Sequence, residues 1–254
     1  MTSLALRVSC LVLCALCAAG GLRAEMSSAE AVATLLNSRN AVGARTFSAA
    51  QEIVARDARA GKPLQQFVYG VTSPDDAALA ARYLDASRER IRQLAEKKNN
   101  PLAWYLLSLE KNDFTCLKKA ADGGNVQALN ALGAIVTQEA LARSQISSNA
   151  LETLLRKSYG YFRRAAIKRD PNGFINLGTC YLRGFGCKRD MALAFVCFKA
   201  AADAGHPEGM DNVSACYQFG HGVEKDAALS LLWAMRGRAA RGVAAAAKWL
   251  RERK

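Results

Sequence analysis

Two adjacent stretches of this chain repeat in register, and that limits the folds it can adopt. Leu177-Gly178-Thr179-Cys180-Tyr181 is followed by Gly184-Phe185-Gly186-Cys187 and Asp190, then an alanine-rich run ending at Gly205. The pattern returns as Val213-Ser214-Ala215-Cys216-Tyr217, then Gly220-His221-Gly222-Val223 and Asp226, ending near Arg241-Gly242. The shift from Leu177 to Val213 is 36 residues. A fixed period of that size marks a stacked helical array, whose units bury their apolar faces on one another. It directs the functional question to a surface before any catalytic pocket.

The columns extend upstream. With Gly205 as the hinge between units, Gly209, Val213 and Ser214 follow at four, eight and nine residues. The same template gives Arg169 with Gly173, Leu177 and Gly178, and Gly124 with Ala128, Leu132 and Gly133. It also gives Asn99 with Ala103, Leu107 and Ser108, and Gly61 with Gln65, Tyr69 and Gly70. Cys116, Tyr161, Cys197 and Trp233 form an aromatic-or-cysteine column before the hinge. Asp76, Asp190 and Asp226 precede Leu79, Leu193 and Leu229 by three residues.

These columns have a physical reading. Small residues let a neighbouring helix approach, while the leucine and aromatic-or-cysteine columns face each other as the shared core. Gly-x-Gly makes the turn because glycine reaches positive φ without a Cβ clash. The aspartate after it N-caps the second helix. Pro63, Pro74, Pro101, Pro171 and Pro207 fall at helix starts or connections, where a missing N–H costs little. No stretch alternates like a strand. Asn149 with Glu152 predicts a capping box opening a helix over 150–168.

These residues resemble the Sel-one-like repeat, a branch of the tetratricopeptide superfamily whose unit carries Leu-Gly, Gly-x-Gly, Asp and Ala-Ala at matching places. Residues 173–205 and 209–242 are similar throughout, residues 125–169 at both ends, and residues 61–124 loosely. Cys187 replaces the family's valine, Cys116 and Cys197 its aromatic, and Ser108 and Ser214 its glycine. The resemblance implies an all-α fold, a right-handed α-solenoid of stacked antiparallel helix pairs serving as a protein-interaction scaffold. It divides the chain into a helical cap at 25–60, about five repeats over 61–242 with an insertion near 137–156, and a capping helix at 243–254. It also places Gln127, Asn130, Asn172, Thr179, Arg183, Asp211 and Gln218 on a concave, partner-binding groove.

Residues 1–24 read as a secretory signal. Arg7 precedes an apolar run from Val8 to Ala19, with cleavage expected before Glu25, after Leu22-Arg23-Ala24, or nearer Ala19 or Gly20. That predicts a periplasmic or secreted protein, with no membrane span in the mature chain. The net charge of +13, about +11 without Arg7 and Arg23, favours an acidic partner, with the basic clusters otherwise read as solvated helix faces. Acidic lipid headgroups, cell-wall polymer or an acidic protein fit better than nucleic acid, for which no motif stands.

Catalytic and cofactor signals are thin. Cys116, Cys180, Cys187, Cys197 and Cys216 remain after the signal, as buried core thiols or, for Cys180 with Cys197, as a bridge across one repeat. They lack zinc-ligand spacing. His206 and His221 fall in turns. Ser108-x-x-Lys111 matches one motif of penicillin-binding enzymes, without its companions, and Ser108 already belongs to the small-residue column. The expectation is a non-enzymatic scaffold needing no metal or cofactor. The alternative is a cell-wall-associated hydrolase or penicillin-interacting enzyme.

Overall fold

The computed structural model describes residues 27, 31–32, 35–36, 44–72, 77–142 and 147–252. The signal-like residues 1–24, Pro74, Asp76 and the side chain of Lys111 lie outside them. Among the described residues the secondary structure is entirely helical. Helix α1 (Ala44–Arg59) precedes five hairpins. These are α2 (Pro63–Thr72) with α3 (Ala77–Lys98), α4 (Pro101–Lys111) with α5 (Phe114–Asp122), and α6 (Val126–Ala142) with α7 (Ser148–Ile167). The last two are α8 (Pro171–Arg183) with α9 (Met191–Asp203) and α10 (Pro207–Phe219) with α11 (Ala227–Ala240). Helix α12 (Ala244–Arg251) packs on α11.

Each helix packs on its sequence neighbours, and the further contacts run α2 to α4, α6 to α8 and α8 to α10. The first helices of the hairpins therefore line an inner row, in direct contact from α2 to α4 and from α6 through α8 to α10, with the second helices outside it. This is the stacking expected of an α-solenoid. The buried apolar residues accordingly form three successive clusters along the stack instead of one central core.

The hinge column has a common backbone. Gly61, Asn99, Gly124, Arg169, Gly205 and Gly242 all adopt positive φ, between 46° and 87°. At five of these hinges the next amide turns back to a carbonyl five residues earlier: Lys62 to Asp57, Asn125 to Ala120, Asp170 to Ala165, His206 to Ala201 and Val243 to Arg238. That bond closes the outgoing helix and fixes the angle of the incoming one. Pro63, Pro101, Pro171 and Pro207 each open a first helix. Asn100, Asn125 and Asp170 cap α4, α6 and α8 through Ala103, Ala128 and Gly173 N–H at 2.8–3.0 Å. Asp190 and Asp226 cap α9 and α11 in the same way.

The small-residue columns set helix spacing. A Cβ on Gly173 would lie 2.7 Å from the backbone of Ala165 and Ala166, and one on Gly209 2.7 Å from Ala202 N. Those glycines let successive hairpins touch backbone to backbone. Within a hairpin, Gly133 and Gly178 instead admit an aromatic ring, since an added Cβ would meet Phe162 at 2.4 Å and Phe198 at 2.6 Å.

Two expectations are corrected. Leu193 is exposed and Leu229 only half-buried, so the leucines after the capping aspartates are not core residues; Leu107, Leu132, Leu177 and Val213 are. The start of α7 is capped by Ser147, which accepts from Ala150 N–H, so Asn149 lies inside the helix. Of the two readings open for Cys180 and Cys197, the structure has the buried core thiols, both free.

Candidate partner-binding groove

The helices of the hairpin containing α6 and α7 are longer than those flanking it. The far end of α6 runs past the end of α8 and leaves an open groove between the two first helices. Ala134, Gln138 and Leu141 form one wall, Asn176 and Thr179 the other. Phe162 and Cys180 make the floor and Phe185 closes one end, enclosing about 570 Å³. Leu141 and Ile135 stand exposed on α6, where a monomeric helix ordinarily carries polar residues.

The chemistry is apolar with a few fixed polar groups, the usual make-up of a recognition groove. Thr179 Oγ1 donates to Ile175 O at 3.0 Å, which turns its methyl away from its own helix backbone contact and fixes its rotamer. The Thr137 and Ser158 hydroxyls meet each other and Gly133 O, so one of them donates to the carbonyl and the other to its neighbouring hydroxyl. Arg183 lies beyond the groove's end, exposed, with its guanidinium 5.9 Å from the Phe185 ring.

The residues assigned to a partner surface from sequence have separate placements. Thr179 lines the groove and Arg183 borders it. Asn130 is engaged inside the fold: its Nδ2 donates to Asp170 at 2.7 Å, and it accepts from Asn176 at 3.3 Å. This clasp joins α6 to the start of α8. Asp211 is ion-paired with Arg241, linking α10 to the following hinge. Gln127 and Asn172 are half-buried near the starts of α6 and α8, away from the groove. Gln218 is exposed near the end of α10. Sequence reasoning missed Leu141, Gln138 and Phe185. Only the first carried a signal, as a leucine late in an amphipathic helix beyond the repeat's normal length.

The reactive side chains are held inert. Ser108 is buried and donates to Tyr105 O at 2.6 Å. Burial pushes the Cys180 thiol up to about 12, with Cys187 and Cys197 adding to the effect, and burial lifts Cys197 and Cys216 to about 11. Protonated thiols are poor nucleophiles. Cys116 donates to Asp113 at 3.2 Å, and that bond is the main reason the Asp113 carboxyl sits below its ordinary value. Among the described residues no group of three or more His, Cys, Asp or Glu is placed to hold a metal ion. None of the described helices is long and apolar enough to cross a membrane.

Comparison with known proteins agrees with this architecture. Residues 175–206 and 207–234 match the family model of the Sel1 repeat. A crystal structure of c5321, a protective antigen present in uropathogenic Escherichia coli strains and displaying an SLR fold, aligns with a TM-score of 0.51 at 21% identity. The alignment covers 78% of this chain and 44% of c5321. The Sel1 repeat protein from Oxalobacter formigenes aligns with a TM-score of 0.43 at 21% identity, over 50% of this chain and 90% of its own. No curated protein sequence matches the chain.

Proposed function

For a chain whose residues 175–234 are Sel1 repeats within an all-helical stack, we propose an exported interaction scaffold that holds a segment of a partner protein in the α6–α8 groove. Proteins built from Sel1 repeats are generally protein-interaction scaffolds. The observation that carries the finer reading is the open apolar groove on the inner row of helices, with exposed Leu141 at its rim and Thr179 within it. A helix or extended segment with one bulky apolar side chain fits this groove. That side chain takes the space between Leu141, Phe162 and Phe185. An acidic residue beside it meets Arg183, which sets orientation more than affinity. Export rests on the signal-like residues 1–24 and places the complex in the bacterial envelope or outside the cell.

The test compares partner recovery from envelope extract by the parent protein with recovery by Thr179→Arg and Leu141→Glu variants. Both substitutions are at groove positions and leave the hairpin core intact. Loss of one defined protein from both variants, with the helical spectrum unchanged, supports the reading. Equal recovery by parent and variants removes this groove as the site. Export is tested separately by the intact mass of the protein from the producing cell: a chain starting at Glu25 supports it, and a full-length cytosolic chain refutes it.

A further inference from the structure

The outer row of helices carries a second surface, which the groove reading does not use. The exposed face of each of α5, α7, α9 and α11 holds one or more large apolar side chains in the open: Phe114 at 54%, Ile167 at 68%, Val196 at 60% and Leu231 at 47% exposure. Each has a basic residue on the same side of its helix. Lys118 stands four residues from Phe114, Arg163 four from Ile167, Lys199 three from Val196 and Arg238 seven from Leu231. Lys118, Arg163 and Arg238 are exposed and form no ion pair among the described residues. Of the acids nearby, Glu152 is bound to Arg156 and Asp203 to Lys199, while exposed Asp122, four residues from Lys118, has no ion pair among the described residues.

Either half of this pattern alone would be ordinary. Basic residues near helix C-termini complement the helix dipole, and single exposed apolar residues are common on any surface. What needs a cause is their recurrence together on four successive outer helices of one rigid stack. Two anionic macromolecules compete as the occupant. Nucleic acid would call for exposed aromatic platforms, but Trp104 is covered by Lys119 at 4.2 Å, and Trp233 by Lys199 at 5.1 Å and Arg236 at 4.6 Å. The open side chains are mostly aliphatic. An anionic bilayer surface suits them: lysine and arginine meet the headgroups while Ile167, Val196 and Leu231 enter the headgroup–acyl boundary.

We infer that the outer face of α5, α7, α9 and α11 docks on an anionic phospholipid bilayer, leaving the inner groove turned away from the membrane. The test is flotation of the full-length chain with vesicles of phosphatidylcholine alone and of phosphatidylcholine mixed with phosphatidylglycerol. The apolar residues 8–19 are common to parent and variants, so the differences between them report on the outer face. Binding should require phosphatidylglycerol and weaken as salt rises. Lys118→Glu/Arg163→Glu/Arg238→Glu should lower affinity on the order of a hundredfold, about fivefold for each cation lost. Ile167→Ser/Val196→Ser should lower affinity severalfold without changing the salt dependence. A charge variant that floats with phosphatidylglycerol vesicles as the parent does overturns the inference. So does an unaffected serine variant whose binding polyglutamate or DNA competes away, because the face would then recognise an acidic polymer.

Discussion

Gly160 and Gly173 are both helical glycines, in α7 and α8, yet replacing each with alanine should change stability in opposite directions. A Cβ on Gly160 meets nothing within 4 Å. The substitution there removes only the entropic cost of a helical glycine, so Gly160→Ala should stabilise the protein by about 0.5–1 kcal/mol. A Cβ on Gly173 would sit 2.7 Å from Ala165 C and Ala166 N, atoms of a helix backbone that moves only with its whole element. The same propensity gain is then opposed by overpacking of about 1–3 kcal/mol. Because the contact is with backbone, the upper part of that range applies, and the net loss is about 1–2 kcal/mol. At about 2–4 °C per kcal/mol for a chain of this size, the two midpoints should separate by roughly 5–10 °C. Helical circular dichroism in a thermal melt and in urea measures both variants. Gly173→Ala as stable as Gly160→Ala would refute the argument that this glycine sets the α7–α8 spacing.

Arg169 holds a positive φ of 62° where most other hinges have glycine, so Arg169→Gly should raise stability by up to about 1 kcal/mol by urea denaturation. His206 is buried at the N-cap position of α10 with both ring nitrogens unpartnered. Burial holds it below its ordinary value, Asp170 opposes that shift and Arg241 adds to it. The unfolded chain therefore binds the proton more readily, and stability falls as pH drops through 6.5 toward the lower folded value. His206→Asn should flatten this part of a stability–pH curve and supply the missing cap; an unchanged curve would exclude His206 as its source. Asn130→Ala removes the donor to buried Asp170 and should cost about 1–3 kcal/mol, whereas Gln218→Ala, on an exposed position, should fall within about 0.5 kcal/mol of the parent.

The hinge and cap positions were legible because backbone geometry selects residue type directly: glycine or asparagine at positive φ, aspartate or asparagine where an N–H lacks a partner. The close-packed glycines were legible for the same reason, since only an absent side chain admits Phe162 or a neighbouring backbone. Other features depend on which side of a helix finds a neighbour, and a periodic pattern does not encode that. Leu193 sits in a repeating column and still faces outward, because the next hairpin covers α9 on its other side. Asn130 reads as a surface polar residue but serves an interior hydrogen-bond network, since its partner Asp170 lies 40 residues away across a unit boundary. The insertion near 137–156 was legible as a lengthened helix pair, but the groove it opens was not, because that depends on where the shorter α8 ends beside it.

The division of the interior into separate clusters gives the stack a character unlike that of a single globule. One cluster runs from Ala31 to Ala165 and ties the N-terminal hairpins together, while the later hairpins pack through clusters of their own. Loss of a core contact in one of the later hairpins should therefore stay more local than the same loss near the N-terminus, where the buried side chains share one cluster.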